Sequence, residues 1–141
     1  MADVKLTCFE CGQINKVPDA KLSAGPKCGT CGARLMPGKA VEIDLKTLEK
    51  AAKKDDVPLI VDFWAPWCGP CRMMAPEYSK AAGELAGKAR LVKLNTEDHQ
   101  TAGMKYGIRG IPTMVHFEKG REVKRQSGAI PAQAIVTWAQ G

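Results

Sequence analysis

From residue 41 onward the chain runs through two hydrophobic rhythms. Leu59-Ile60-Val61-Asp62-Phe63-Trp64 is a nearly continuous apolar run of strand length, as expected for a strand covered on both faces. Leu91-Val92-Lys93-Leu94 predicts a second central strand, and Val41-Glu42-Ile43 a short one. Between them the period changes. Met74, Tyr78, Ala81 and Leu85 fall at i, i+4, i+7 and i+11, which predicts a helix over 69–87 with one buried stripe. Pro76 lies inside that helix and should bend it, because its ring removes the bond to Arg72. Leu45, Leu48 and Ala52 predict a helix over 44–55, and a short one is expected over 98–106. Runs 113–117 and 122–125 flank Lys119-Gly120 as a hairpin. Pro131 opens a last helix carrying Ala134, Ile135 and Trp138 on one face. Strands alternating with helices, then a hairpin and a closing helix, predict an α/β fold: a mixed sheet with helices on both faces.

The front of the chain keeps neither rhythm. Its large apolar residues after Met1 are Val4, Leu6, Phe9, Ile14, Val17, Leu22, Leu35 and Met36, too few to close a core. Chains of about 40 residues or fewer usually need a metal, disulfides or a partner to fold. Met36-Pro37-Gly38-Lys39 reads as a turn or linker, so the division is 1–38 and 39–141. Within the front piece, Cys8-Phe9-Glu10-Cys11-Gly12 and Cys28-Gly29-Thr30-Cys31-Gly32 repeat one motif, with the 16 residues from Gly12 through Lys27 between the pairs. This is zinc-ligand spacing, and the module resembles a zinc ribbon. Cys8, Cys11, Cys28 and Cys31 would supply four thiolates to one tetrahedral Zn²⁺, leaving no open position for catalysis. Two disulfides, or an iron–sulfur centre on the same four ligands, are the competing readings.

Composition narrows the rest. The chain has 141 residues, 45% hydrophobic and 26% charged, which is globular usage. No apolar run approaches the roughly 18 residues of a membrane span, so no membrane partner is expected. The N-terminal residues lack the apolar stretch of an export signal, which leads to a cytoplasmic expectation. Net charge is +6, but the longest basic run, Lys53-Lys54, is followed at once by Asp55-Asp56 and reads as a solvated surface. With no basic cluster and only Phe9 for stacking in the ribbon, nucleic acid is not an expected partner. His99 and His116 have no ligand spacing to the cysteines.

The third cysteine pair, Cys68-Gly69-Pro70-Cys71, follows a predicted strand and opens a predicted helix. A thiol there meets the positive end of the helix dipole, which favours thiolate. Cys71 lies one turn further in, within reach of Cys68. Such a pair can cycle between dithiol and disulfide, with Cys68 attacking and Cys71 resolving. A second zinc knuckle is the alternative, but it lacks a partner pair. Asp62 interrupts an apolar strand, where burial would raise its pKa and make it an acid/base for Cys71. A solvent-facing Asp62 and an exposed Lys93 are the alternatives for those two residues.

Trp67-Cys68-Gly69-Pro70-Cys71, after Val61-Asp62-Phe63-Trp64-Ala65 and before Gly110-Ile111-Pro112-Thr113, resembles the thioredoxin family. The likeness extends to Lys93, Pro76 and Ser127-Gly128-Ala129. With the front ribbon added, the whole chain resembles the zinc-binding bacterial members. The resemblance implies a thioredoxin fold preceded by a small zinc ribbon. It also implies a protein-disulfide reductase recharged by an NADPH-dependent thioredoxin reductase, with no organic cofactor of its own and a monomeric state. It pairs Lys93 with Asp62 as part of the catalytic group. It makes Ile111-Pro112 a cis-proline turn. Trp67, Gly69, Pro70, Gly110, Ile111, Pro112, Gly128 and Ala129 become the substrate surface. Trp64 reads as packing. Pro66 stands where many relatives carry a charge. The zinc would be structural or regulatory. The rival functional readings are a zinc-dependent redox sensor or chaperone-like module, and a disulfide isomerase or oxidase.

Overall fold

The computed structural model describes residues 3–141, so the first two residues of the ribbon lie outside it. Strand β1 (Asp3–Thr7) pairs antiparallel with β2 (Ile14–Pro18), Thr7 opposite Ile14. Cys8 and Cys11 sit in the turn between them. A second turn carrying Cys28 and Cys31 is closed by a bridge between Lys27 and Arg34. In each turn a glycine N–H donates back to the first cysteine's carbonyl: Gly12 to Cys8 at 3.0 Å and Gly32 to Cys28 at 2.9 Å. Both glycines have φ near +80° (80° and 78°), a conformation that a side chain would disfavour. The ribbon core is Leu6, Cys8, Val17, Leu22, Cys28 and Leu35, joined by Val57 from the larger part.

The larger part is a five-stranded mixed sheet: β3 (Val41–Glu42), β5 (Arg90–Asn95), β4 (Leu59–Trp64), β6 (Thr113–Glu118) and β7 (Arg121–Ser127), in that spatial order. The first three are parallel; β6 runs antiparallel to β4, and β7 antiparallel to β6. Alternation along the strands builds two cores. Val61, Phe63, Val92, Leu94, Val115 and Phe117 face α1 (Leu45–Lys54). Ile60, Leu91 and Met114 face α2 (Gly69–Glu84) and α4 (Ala132–Gln140). The predicted stripe on α2 is the buried one: Met74, Tyr78 and Ala81 lie in the second core, with Leu85 at the helix end. The Tyr78 hydroxyl reaches the carbonyls of Val92 (2.8 Å) and Ile60 (3.0 Å), tying the helix to both central strands. Helix α2 runs through Pro76, which lies on its exposed face. Helix α3 (Thr101–Lys105) is shorter than the expected 98–106. Asn95 Oδ1 accepts the Glu97 N–H at 2.9 Å, and residues 96–98 form a turn ahead of the helix.

The ribbon is seated on the N-terminal ends of β4 and β5 by a buried ion pair. Asp55 and Arg90 are each 2% exposed, and the Arg90 guanidinium binds the Asp55 carboxylate. Both reach ribbon backbone as well. Thr7 N–H donates to Asp55 Oδ1 (2.8 Å), while Arg90 donates to the carbonyls of Thr7 (2.6 Å) and Leu35 (3.0 Å). The Phe9 ring covers the guanidinium, 3.8 Å from its centroid. Asp55, read from sequence as part of a solvated charge run, is instead part of this seam. Residues 36–40 are packed rather than loose: Gly38 lies against Ala86 and Gly83 at the end of α2. Close by, a Cβ at Gly87 would collide with Ser23 of the ribbon.

Candidate active site

Parallel strands β4 and β5 deliver their last residues to one end of the sheet. Past the end of β4, Cys68 caps the N-terminus of α2. Its Sγ accepts the Cys71 backbone N–H at 3.2 Å, an orphan donor of the first helical turn. Cys68 and Cys71 form a disulfide with Cα atoms 5.2 Å apart. The two are 6% and 2% exposed, so Cys71 is the deeper sulfur. Across from them the Ile111–Pro112 peptide is cis, and the Ile111 carbonyl oxygen lies 3.7 Å from Cys68 Sγ.

The surface around the disulfide is apolar and shallow. A groove of ≈ 440 Å³ is lined by Trp67, Thr96, Gly103, Ile108, Arg109, Gly110 and Ile111. Trp67 is 64% exposed, and its indole N–H donates to Glu97 at 3.0 Å, which fixes the ring. On another side Ala129 lines a smaller hollow with Met73, Met74 and Ile130. Gly128 N–H donates to the Pro112 carbonyl at 2.9 Å, joining that loop to the proline turn. Pro70 is exposed, Gly69 half-buried and Pro112 buried. Sequence reasoning missed Glu97, Ile108 and Arg109. Nothing in the spacing marks them, because they come from two segments, before and after α3, that only the fold brings to Trp67.

On β4, Asp62 is 1% exposed and its Oδ1 has no hydrogen-bond partner. Burial pushes its carboxyl up to about 7, against the pull of Lys93 and with a further push from Glu42. Lys93 is half-buried. Its ammonium lies over the Trp64 ring, 4.4 Å from the centroid, and among the described residues it makes no ion pair. Trp64 therefore does more than pack.

The other four cysteines gather in the ribbon, with all four sulfurs within 4.8 Å of one another. Cys8 and Cys31 sulfurs are 3.6 Å apart, as are those of Cys11 and Cys28. A tetrahedral ion with metal–sulfur bonds of about 2.3 Å would hold sulfurs about 3.8 Å apart, so the set fits one metal ion. Backbone N–H groups of Glu10 and Thr30 point at Cys8 and Cys28 sulfurs, both at 3.4 Å. The Cys31 N–H, then Asn15, pull the Cys28 thiol down to about 6. Cys31 is pushed up to about 12: the Ala33 N–H favours its thiolate, but the neighbouring sulfurs and burial outweigh it. Four crowded thiols cannot all ionise without a cation among them.

A family model described as thioredoxin matches residues 39–141. The chain belongs to the thioredoxin family. It is accordingly a thiol–disulfide oxidoreductase. A second model, described as thioredoxin 2, N-terminal, matches residues 7–33 and carries a zinc ribbon in its name. Among curated relatives, thioredoxin C-3 of Corynebacterium nephridii is 35% identical over 133 residues, covering 94% of this chain and 91% of its own. Thioredoxin of Haemophilus influenzae is 41% identical over 100 residues, covering 71% and 94%. The crystal structure of chloroplastic thioredoxin z superposes with a TM-score of 0.66 at 33% identity, over 72% of this chain and 92% of that one. The thioredoxin fold is thus the architecture of the larger part, and the ribbon cluster precedes it. No helix among the described residues is long and apolar enough to cross a membrane.

Proposed function

We propose that the chain is a reductase of protein disulfides. Reduced Cys68, as thiolate, attacks one sulfur of a substrate disulfide; a mixed disulfide forms and the other substrate sulfur leaves. Cys71, giving its proton to Asp62, then attacks Cys68 Sγ. The Cys68–Cys71 bond forms, the first substrate sulfur departs as a thiolate that takes a proton from solvent, and two electrons have passed to the substrate. Lys93 lowers the cost of charge on Asp62 during that transfer. An extended substrate segment lies across Trp67, Gly69, Pro70, Gly110, Gly128 and Ala129, pairing with the backbone of Ile111 beside Pro112. An NADPH-dependent thioredoxin reductase restores the dithiol. The proposed setting is the cytoplasm, where free metal-binding thiols persist, and the working unit is a monomer.

Cys8, Cys11, Cys28 and Cys31 would hold one Zn²⁺. With four protein ligands it would supply folding energy to residues 1–38 and leave no open position for the disulfide chemistry.

One observation carries this reading: Cys68 caps a helix N-terminus with the deeper Cys71 one turn behind it. With Cys71→Ser, a substrate disulfide should trap on Cys68 as a stable mixed disulfide. Equal trapping at position 71 in a Cys68→Ser protein would reverse the assignment.

A further inference from the structure

The strand register places three ionisable residues in one row across the parallel strands. Glu42 of β3 is opposite Lys93 of β5, and Lys93 is opposite Asp62 of β4. In-register residues of a sheet share a face, so all three side chains lie toward α2. Lys93 has a carboxylate on either side, yet among the described residues it forms an ion pair with neither.

The contacts show how it is held. Trp64 sits two residues along β4 from Asp62, on the same face, and its indole N–H donates to Glu42 Oε1 at 3.1 Å. Glu42 Oε2 accepts the Asn95 backbone N–H at 2.9 Å, which pins the carboxylate to the end of β5. The ring so anchored carries the Lys93 ammonium on its face. Asp62 is left with Oδ1 unbonded. We propose that Glu42 is a positioning residue for the proton transfer at Asp62: it anchors Trp64, the ring holds Lys93 out of contact with Asp62, and the carboxylate, left without a bonded cation, takes the Cys71 proton more readily.

This rests on the reductase reading, in which Asp62 exchanges a proton with Cys71. The ionisable groups bearing on Asp62 are Lys93 from β5, Glu42 from β3 and Tyr78 from α2. Opposite it on β6 is uncharged Met114, with His116 further along that face. Asp98 bears on Glu42. Burial raises the Glu42 carboxyl, against the Asn95 N–H, Lys93 and Trp64. Glu42 thus acts on Asp62 in two ways. Its charge disfavours a second carboxylate two strands away, a spacing of about 9–10 Å. Its hydrogen bond keeps Lys93 parked on the ring.

Two variants of the full chain separate these effects. Glu42→Gln keeps an acceptor for Trp64 and loses the charge. Glu42→Ala loses both. The readout is the Asp62 carboxyl carbon signal followed by NMR from pH 4 to 9 in the oxidised protein, beside the pH profile of mixed-disulfide resolution. The Asp62 midpoint should fall by about half a pH unit in Glu42→Gln and further in Glu42→Ala, with the profile moving by the same amount. An unchanged midpoint in natively folded Glu42→Ala overturns the proposal; should that variant fail to fold, Trp64→Phe, which removes the indole N–H that binds Glu42, must lower the midpoint as well, and an unchanged midpoint there overturns it equally. Asp62→Asn is the control: unaltered resolution there would sink the proton-transfer reading while leaving the midpoint shift standing on its own.

Discussion

Asp55 and Asp62 are seven residues apart and equally buried, yet the two ends of β4 treat them differently. At the ribbon end, Asp55 has the Arg90 guanidinium, the Thr7 N–H and a cover of Phe9. At the disulfide end, Asp62 has an unbonded oxygen and an ammonium held elsewhere. Burial pushes both carboxyls up, but only Asp55 has a cation bonded to it in opposition. A buried charge with every valence occupied fixes geometry. One left short of partners changes protonation state cheaply, and that is the property an acid/base needs.

Removing one partner at the ribbon end tests the first half of this contrast. Arg90→Leu strands Asp55 and two backbone carbonyls, and should cost about 3–5 kcal/mol in urea denaturation. Replacing both, as Asp55→Leu with Arg90→Met, should cost clearly less than Arg90→Leu alone. A double variant no better than the single would mean that the ribbon backbone contacts, not the pair, hold the seam.

The disulfide end should respond with the opposite sign. Asp62→Asn removes the desolvated charge and should stabilise the fold by roughly 3–4 kcal/mol above pH 7. The sign follows from the raised pKa. Between the unfolded value near 4 and the folded value of about 7, the native state holds a proton that the unfolded state has lost. The native protein therefore loses stability as pH rises through that window and is level above it. The gain in Asp62→Asn should fade to nothing by about pH 4. A gain independent of pH would point to packing.

Deleting the ribbon joins the two tests. A chain of residues 41–141 exposes Asp55 and Arg90 to water, which replaces the lost backbone partners. It should melt lower than the full chain and still reduce a protein disulfide, because Cys68 lies at the other end of the strands. Loss of nearly all turnover in a truncated chain that stays folded by circular dichroism would make the ribbon part of the working site. The smallest effect is expected at the docking surface: Trp67→Ala should raise KM several-fold, about 1 kcal/mol of binding, with kcat little changed.

Much of this was legible in the residues. Asp62 stood out because it breaks an apolar strand, and the paired cysteines because of their spacing. The helix stripe at Met74, Tyr78 and Ala81 followed from periodicity alone. What the residues concealed was whatever depends on register and seating. Asp55 looks like one more charge beside Lys53-Lys54 until a ribbon covers it. Glu42 looks like an ordinary polar strand residue until β3, β5 and β4 line up. Trp64 read as filler because its hydrogen-bond acceptor is 22 positions earlier in the chain. Helix α3 is shorter than expected because residues 96–98, just after β5, form a turn instead of a first helical turn.

The six-residue length of β4 and β5 has a practical meaning. At about 3.3 Å per residue, those strands keep the ribbon and the disulfide some 20 Å apart on opposite poles. A tether, a label or a solid support attached to Lys16, Lys21 or Lys27 occupies one pole only. The other stays open to a folded protein of any bulk, so the molecule can be anchored and still hand over electrons.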